Sequence, residues 1–548
     1  MSAQYWKKTL AVVAASALMA GLFTACGGAD KQSAGTPKQS SDTNSQQPVK
    51  IDWLAYNSYG QLSDPDNNDI VKLVQNKFNA KFNVWYLDAQ KWDEALNIKL
   101  SAGELPDVLK INNLTSLRKL IQQNVAAPVD EETVRKLAPS YAKVIDEYSK
   151  QAWDFGKVDG KLYALPSINL NSNYPTVVIW REDWLKKVGI AKTPETIQEV
   201  EDALTKFRND DPDGNGKKDT YGLSDFAIPA IFGAFGHPAF VDFKAASKDP
   251  VQSLHRFLKD GKIAIAATQP EMKDALALLQ KWYKAGLIDP EFLTSENTTG
   301  YWGDSQAFYN GKIGLTGKGM FYHWRNENDP AAPDDQGGGQ YSNFKKSQPN
   351  GSIAFGKAPV GPQGKSGTPQ WQLFSNSLVF TSKAVKNPRV VETVLKMIEA
   401  VYSDEEFYRT TVYGIKGKDW NFSNGKVVSL DPDKKTPSEV KGRLIFNALQ
   451  APPAYVKSSD PFTFQFADKA AKISGYQPLQ LASANGFPAF EKNSGALGKL
   501  VIESYFKIIT GEWPVSKFDD FVKQFYSSGG TEIEKESTDA YNQMIGKK

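Results

Sequence analysis

Apolar spacing divides the chain into a polar front end and a long series of α/β units. Val49 to Tyr56 (VKIDWLAY) alternates and stops at Asn57-Ser58-Tyr59-Gly60, which predicts a first strand. Asp69 to Asn79 carries apolar residues at helical spacing, and Phe82 to Leu87 (FNVWYL) predicts a second strand. Trp92 to Ser101 predicts a helix ended by Ala102-Gly103, and Asp107 to Ile111 a short buried strand. This order predicts a parallel sheet with crossover helices, whose ligands sit at the carboxyl ends of the strands.

A second run repeats the pattern. Thr176 to Trp180 predicts a strand, Arg181 to Val188 a helix closed by Gly189, and Pro194-Glu195-Thr196 opens another helix. Pro270 to Tyr283 is strongly periodic, with proline suited to the first turn. Lys312 to Thr316 and Ser377 to Thr381 predict buried strands. A helix follows from Pro388 to Ser403, and a helix pair around Phe518 to Tyr526 closes the chain.

The front end carries an address. Lys7 and Lys8 precede an apolar stretch from Thr9 to Leu22, and Thr24-Ala25 precede Cys26, the sole cysteine. Charged, apolar and small-residue regions in that order predict a secretory signal over residues 1–25. The apolar stretch falls short of the roughly 20 residues a spanning helix needs. A cysteine at the cleavage point resembles a bacterial lipoprotein lipobox, which implies lipid on Cys26. Phe23 stands where that pattern prefers leucine. An ordinary signal peptide with a chance cysteine is the alternative. Residues 26–50 are Gly/Ser/Thr/Gln/Asn/Lys-rich, a flexible tether with a reach of roughly 25–30 Å.

Composition narrows the function. At roughly 150 residues per domain, 548 residues make two to four domains. With 65 basic and 62 acidic residues the net charge is +3, and no Lys/Arg cluster stands out, which argues against nucleic acid. One cysteine permits no intrachain disulfide and no cysteine zinc site; His237, His255 and His323 are not at metal-ligand spacing. The 13 Trp, 22 Tyr and 30 Phe suit a protein that stacks on sugar rings.

The sharpest motif runs from Asp211 to Thr220 (DPDGNGKKDT). Asp211, Asp213, Asn215 and Asp219 offer side-chain oxygens, and Lys217 a backbone carbonyl, at the spacing of an EF-hand-type Ca²⁺ loop with Gly216 at its turn. Gly222 stands where such a loop ends in a bidentate Glu, so Asp219 has to close a structural calcium site. A solvated Asx-rich turn is the alternative. Paired carboxylates for glycoside cleavage carry almost no signal among 62 acids, and there is no nucleophile elbow or P-loop. Trp302, Trp324, Trp371 and Trp420 lie in polar, Gly/Asn/Ser-rich surroundings, where ligand contact and packing compete.

Several stretches occur together in order: Ser101-Ala-Gly-Glu-Leu-Pro-Asp107, Gly160-Lys-Leu-Tyr163-Ala-Leu-Pro166, Trp180-Arg-Glu-Asp-Trp184, the 211–219 loop, Ala285-Gly-Leu-Ile-Asp-Pro290, Tyr309-Asn-Gly-Lys-Ile-Gly314, Tyr413-Gly-Ile-Lys-Gly417 and Ile509-Thr-Gly511. The set resembles bacterial extracellular solute-binding lipoproteins of ABC transporters, the family 1, LipO-type group, with the alginate oligosaccharide-binding proteins as relatives. The resemblance implies a two-lobed, periplasmic-binding-protein-like α/β fold with a ligand cleft between lobes joined by a hinge. By analogy, lobe one spans 51–170 plus 355–405, and lobe two 171–354 plus 406–548. It implies a non-enzymatic monomer, lipid-anchored on the extracellular face of a Gram-positive membrane, that delivers an oligosaccharide to ABC permease subunits. Asn57, Tyr59 and Asn113 would then face Trp302, Tyr322, Trp324 and Trp371 across the cleft. A secreted calcium-dependent lyase or hydrolase is the alternative, and a receptor for another nutrient a third.

Overall fold

The computed structural model describes residues 47–57, 68–88, 92–111, 117–149, 151–170, 174–240, 242–294, 296, 305–317, 319–321, 323–324, 340–370, 377–430, 452–461, 473–476 and 487–545. Cys26 and nearly all of the tether lie outside them. Among the described residues no helix is long and apolar enough to cross a membrane.

The strands that matter for function are β1 (Val49–Asn57), β2 (Ala80–Asp88), β3 (Val108–Ile111), β4 (Ala164–Leu165), β5 (Ile179–Arg181), β6 (Tyr221–Leu223), β7 (Ile313–Thr316), β8 (Ile353–Phe355) and β9 (Ser377–Phe380). The first sheet has the order β2-β1-β3-β9-β4. β1 runs parallel to β2 over its whole length, and parallel to β3 through Trp53 and Val108. β9 enters antiparallel between β3 and β4, so the sheet is mixed where the strand–helix alternation predicted it parallel. The helix Asp69–Phe78 that joins β1 to β2 starts at Asn68, whose side chain accepts the N–H groups of Ile70 and Val71, and stops at left-handed Asn79. Every residue of β3 and β9 is buried, as expected for central strands covered on both faces. Ile51, Val74, Tyr141, Ile145, Val379 and Val394 belong to the core they share. Each aliphatic side chain buried there contributes roughly 1.5–3 kcal/mol.

The second sheet has the order β8-β5-β7-β6. β7 is parallel to β6 and antiparallel to β5, and β8 is antiparallel to β5. The helix Ile197–Asn209 packs Val200, Leu204 and Phe207 into its core. A capping box fixes its start: Thr196 Oγ1 accepts the Glu199 N–H, and the Glu199 carboxylate accepts the Thr196 N–H. The helix Pro488–Thr510 adds Val501, Tyr505 and Ile508 to the same core from far along the chain.

The first core draws on residues from Val49 to Leu170 and again from Leu378 to Phe407. The second begins at Val178 and resumes with Phe490. The chain therefore passes between the cores three times, and two of these passages, 166–178 and 356–376, link the sheets directly. β4 is parallel to β3, because both are antiparallel to β9, so the first connection leaves from the carboxyl edge of the first sheet. It arrives at Ile179, opposite Thr316, the carboxyl end of β7. The second leaves at Phe355, opposite Ile179, and arrives at Ser377, opposite Ile111. Each connection joins carboxyl edge to carboxyl edge. They also bond to each other: Thr176 N–H donates to Pro369 O at 2.8 Å, and the Thr368 hydroxyl to Thr176 O at 2.8 Å. Thr368 and Pro369 pair in turn with Gly475 and Tyr476.

Candidate functional site

The two carboxyl edges that the connections hold together form the candidate site. On the first, β1 ends at Asn57, whose backbone pairs with Asp88. The Asn57 side chain, Tyr59, Asn113, Trp302, Tyr322 and Trp371 lie outside the described residues. Trp324 is described, and it corrects the expectation that it faces the cleft. It is fully buried beside Val177, Ile179, Phe321 and Phe344. Its ring meets Phe308 edge-on at 5.9 Å. Trp420 is buried as well and donates its ring N–H to Gly414 O at 2.7 Å. Polar neighbours in sequence misled for Trp324, because burial depends on residues far along the chain; for Trp420, where contact and packing competed, the structure shows packing.

The second edge carries a polar cluster that no sequence motif announced. β6 ends at Leu223 and leads into Ser224 and Asp225. Asp225 is 0% exposed, Glu296 2% and Asp242 7%. The Asp225 carboxylate accepts the N–H of Phe243 at 2.8 Å and of Lys244 at 3.0 Å, while Asp242 caps the same helix, Phe243–Lys248, through Ala245 N–H. Glu296 accepts the Ser305 hydroxyl at 3.1 Å and the Ala307 N–H at 3.3 Å. The Thr316 hydroxyl, at the end of β7, donates to Ser305 Oγ at 2.9 Å. Lys244 Nζ reaches the Glu296 carbonyl. Among the described residues Ser224 Oγ is buried without a protein partner. Burial, and then the charge of Asp242, push the Asp225 carboxyl well above the usual carboxylate range. Burial lowers the Lys244 ammonium. Three acids spread over 225–296 have no shared periodicity: Asp225 and Asp242 meet at the start of the helix Phe243–Lys248, and Glu296 is held through Ser305, which bonds Thr316 at the end of β7.

The 211–219 loop lies at the amino end of β6. Asp211, left-handed at φ 47°, accepts the N–H groups of Gly214 and Asn215 at 3.1 Å each and of Gly216 at 3.0 Å. Gly214 and Gly216 take φ 77° and 76°, a region glycine enters without strain. The Asn215 amide donates to Asp213 at 2.8 Å and to Asp219 at 3.2 Å. The Gly216 N–H above all holds the Asp211 carboxyl below its ordinary value; burial and then Asp211 push the Asp213 carboxyl up. Arg208 Nη1 ties the loop to its helix through Lys218 O at 2.9 Å and Thr220 O at 3.1 Å. Among the described residues no group of three or more His, Cys, Asp or Glu is arranged to hold a metal.

Two mixed sheets with joined carboxyl edges define a two-lobed α/β binding protein. The sequence profile of the family "Bacterial extracellular solute-binding protein" matches residues 70–371, and the chain belongs to that family. It is similar to the polygalacturonan/rhamnogalacturonan-binding protein YtcQ of Bacillus subtilis (strain 168), 24% identical over 98% of this chain and 99% of that one. It is similar to lipoprotein LipO of the same organism, 24% identical over 87% and 90%. Its fold matches the structure titled "S.pneumoniae ABC-transporter substrate binding protein FusA EF-hand mutant in complex with fructo-nystose", with TM-score 0.62, 17% identity, and coverage of 91% and 99%.

Two outcomes follow. Trp324→Ala should lower the stability of the ligand-free protein by about 3–5 kcal/mol in chemical denaturation; a loss under about 1 kcal/mol would return Trp324 to the cleft surface. For Asp225 the folded pKa is raised, so its contribution is present below the unfolded value of 3.8 and is lost as pH rises through the folded value. Asp225→Asn should therefore gain on wild type as pH is taken from 4.5 to 8. A stability difference independent of pH would show that Asp225 is not held protonated.

Proposed function

We propose that this chain captures an oligosaccharide between the two carboxyl edges and delivers it, without chemical change, to the permease of an ABC importer. The observation that carries the reading is the pair of edge-to-edge connections, which turn the ligand-binding ends of both sheets toward one space. Family membership supports solute capture, and the sugars in the names of YtcQ and of the FusA complex support the ligand class. The signal-like residues 1–25, the lone Cys26 and the polar stretch after it support a lipid anchor on the outer face of a Gram-positive membrane. A panel of plant, algal and storage oligosaccharides, read by thermal shift, tests the reading. A ligand at a hundred times its Kd should stabilise the protein by about 2.7 kcal/mol and be recovered intact. Shortened or unsaturated products would identify an enzyme instead.

A structural Ca²⁺ in the 211–219 loop belongs to the same proposal. Asp211, Asp213, Asn215 and Asp219 would hold it with side-chain oxygens, and Lys217 with its carbonyl. The fit rests on convergence: one amide, that of Asn215, already touches both Asp213 and Asp219, and turning it over presents oxygen in place of nitrogen. Burial first, and then the neighbouring Asp211 and Asp219, raise the Asp213 carboxyl, and a cation would offset the repulsion among the three. A chelator should lower the melting temperature, and Asp213→Ala should remove that response. Elemental analysis without bound metal, together with a melting temperature indifferent to chelator, would leave the loop a solvated turn.

A further inference from the structure

The first carboxyl edge carries a cation that the described protein leaves unanswered. β3 ends at that edge with Ile111, and the short helix Leu117–Gln122 follows. The helix runs back toward the start of β3. Ala127, just beyond it, donates its N–H to Phe380 O, and Phe380 pairs with Val108, the first residue of β3. Arg118, in the first turn of the helix, therefore stands on the ligand side of the sheet. Leu117 and Leu120 anchor the helix in the first core. The Arg118 guanidinium lies over the Phe487 ring, 5.0 Å from its centre. Phe487 packs against the second core, so Arg118 reaches from one lobe to the other.

We infer that Arg118 anchors a carboxylate of the ligand, so that the oligosaccharide captured by this chain includes an acidic sugar of the uronate class. The inference rests on the sugar-binding reading above.

Among the described residues Arg118 makes no ion pair and no hydrogen bond, and its Nε is shut from water without an acceptor. Other described cations near the two edges are committed. Lys110, buried in β3, is already engaged. Lys244 has its Nζ on the Glu296 carbonyl. On the connection after β8, Lys357 pairs with Glu195 at 3.0 Å and Lys365 with Glu271 at 3.2 Å. The acids of the second edge do not answer Arg118 either. Asp225, Asp242 and Glu296 give their hydrogen bonds to N–H and hydroxyl groups of their own lobe.

Holding a half-buried guanidinium without a counter-charge is unfavourable, and so is closing off a donor without an acceptor. The Phe487 ring meets part of this need, since its face attracts a cation. It offers nothing to the N–H groups, which require oxygen. A ligand hydroxyl would supply an acceptor without charge. A carboxylate supplies charge and two coplanar oxygens, which match the two Nη groups of the fork end-on. A uronate carries that group directly on a sugar ring. Because Arg118 belongs to the first lobe and Phe487 to the second, a carboxylate bound there is held where the two lobes meet.

The test presents the full chain, produced without lipid, with a library of uronate oligosaccharides and their carboxyl-reduced counterparts of matched length. Retained ligands are identified by mass spectrometry, and the best acid is compared with its reduced form by calorimetry. The expected result is at least about tenfold tighter binding of the acid. Rising salt should weaken the acid and leave the reduced form almost unmoved. Arg118→Gln should bring the two forms to within about twofold of each other, while Arg118→Lys, which keeps the charge and loses the fork, should retain part of the preference. Equal or better binding of reduced sugars by wild type would overturn the carboxylate inference and leave the sugar-binding reading intact. So would an acid preference that survives Arg118→Gln, or a loss in that variant that is the same for both forms, which would make Arg118 a brace between the lobes. Retention of no glycan of either kind would overturn both readings.

Discussion

Hydrogen bonds between Thr176 and the pair Thr368-Pro369, the hydroxyl contact spanning 192 positions, hold the two connections side by side, and the rest of the molecule depends on that pairing. Because the connections run from one carboxyl edge to the other, the sheets cannot present their edges independently. The same geometry makes the first sheet incomplete until β9 arrives. β3 and β4 do not pair with each other; β9 lies between them and closes the layer from a position more than two hundred residues downstream. The first core thus waits on chain that has already passed through the second. Such non-local closure costs loop entropy before burial returns it, which is expected to slow folding relative to a sheet of neighbouring strands.

Burying three carboxyls beside one engaged lysine is a poor way to stabilise a fold. The acids are tolerated because they are satisfied locally. Asp225 and Asp242 receive the free N–H groups at the start of one helix, and Glu296 bridges Ser305 and Ala307. Each bond ties a segment that leaves the second carboxyl edge back to its neighbour. Apolar replacements would leave those N–H groups unpartnered in a dry setting, and that loss outweighs the relief of charge.

Local pattern made part of this legible. β1 and β2 alternate, β3, β7 and β9 are short and mostly apolar, and helices such as Asp69–Phe78 and Ile197–Asn209 carry clear caps, so both α/β layers were foreseeable. β4 and β8 have two and three residues and no periodicity to read. The strand expected from Thr176 begins instead at Ile179, because the preceding backbone is spent elsewhere. Thr176 N–H goes to Pro369 O, Val177 N–H to Gly319 O, and Val178 O accepts the Gly356 N–H. Those partners are unknowable from a local window. The same holds for Trp324, whose polar sequence neighbours suggested exposure while Phe308 and Phe344 enclose it. The acids of the second edge are invisible for the converse reason: among 62 carboxylates, nothing local sets 225, 242 and 296 apart.

The short strand β6 joins the two polar features of the second layer. The 211–219 loop enters it at Tyr221, and Ser224-Asp225 leave it after Leu223. Three residues of strand span about 10 Å, so the loop and the acidic edge are opposite ends of one short rod. The rod is clamped in several ways. The Thr220 hydroxyl bonds Phe207 O, Arg208 holds the Lys218 and Thr220 carbonyls, and β7 pairs alongside. Gly222 lies midway, where a Cβ would meet the Leu287 carbonyl at 2.8 Å and Leu204 closer still, so the rod is pressed against its neighbours without slack. That residue occupies the position at which an EF-hand places its closing glutamate. Close packing of β6 leaves no room for a side chain there, which is why any cation in this loop has to be closed by Asp219, three residues earlier and just ahead of the strand.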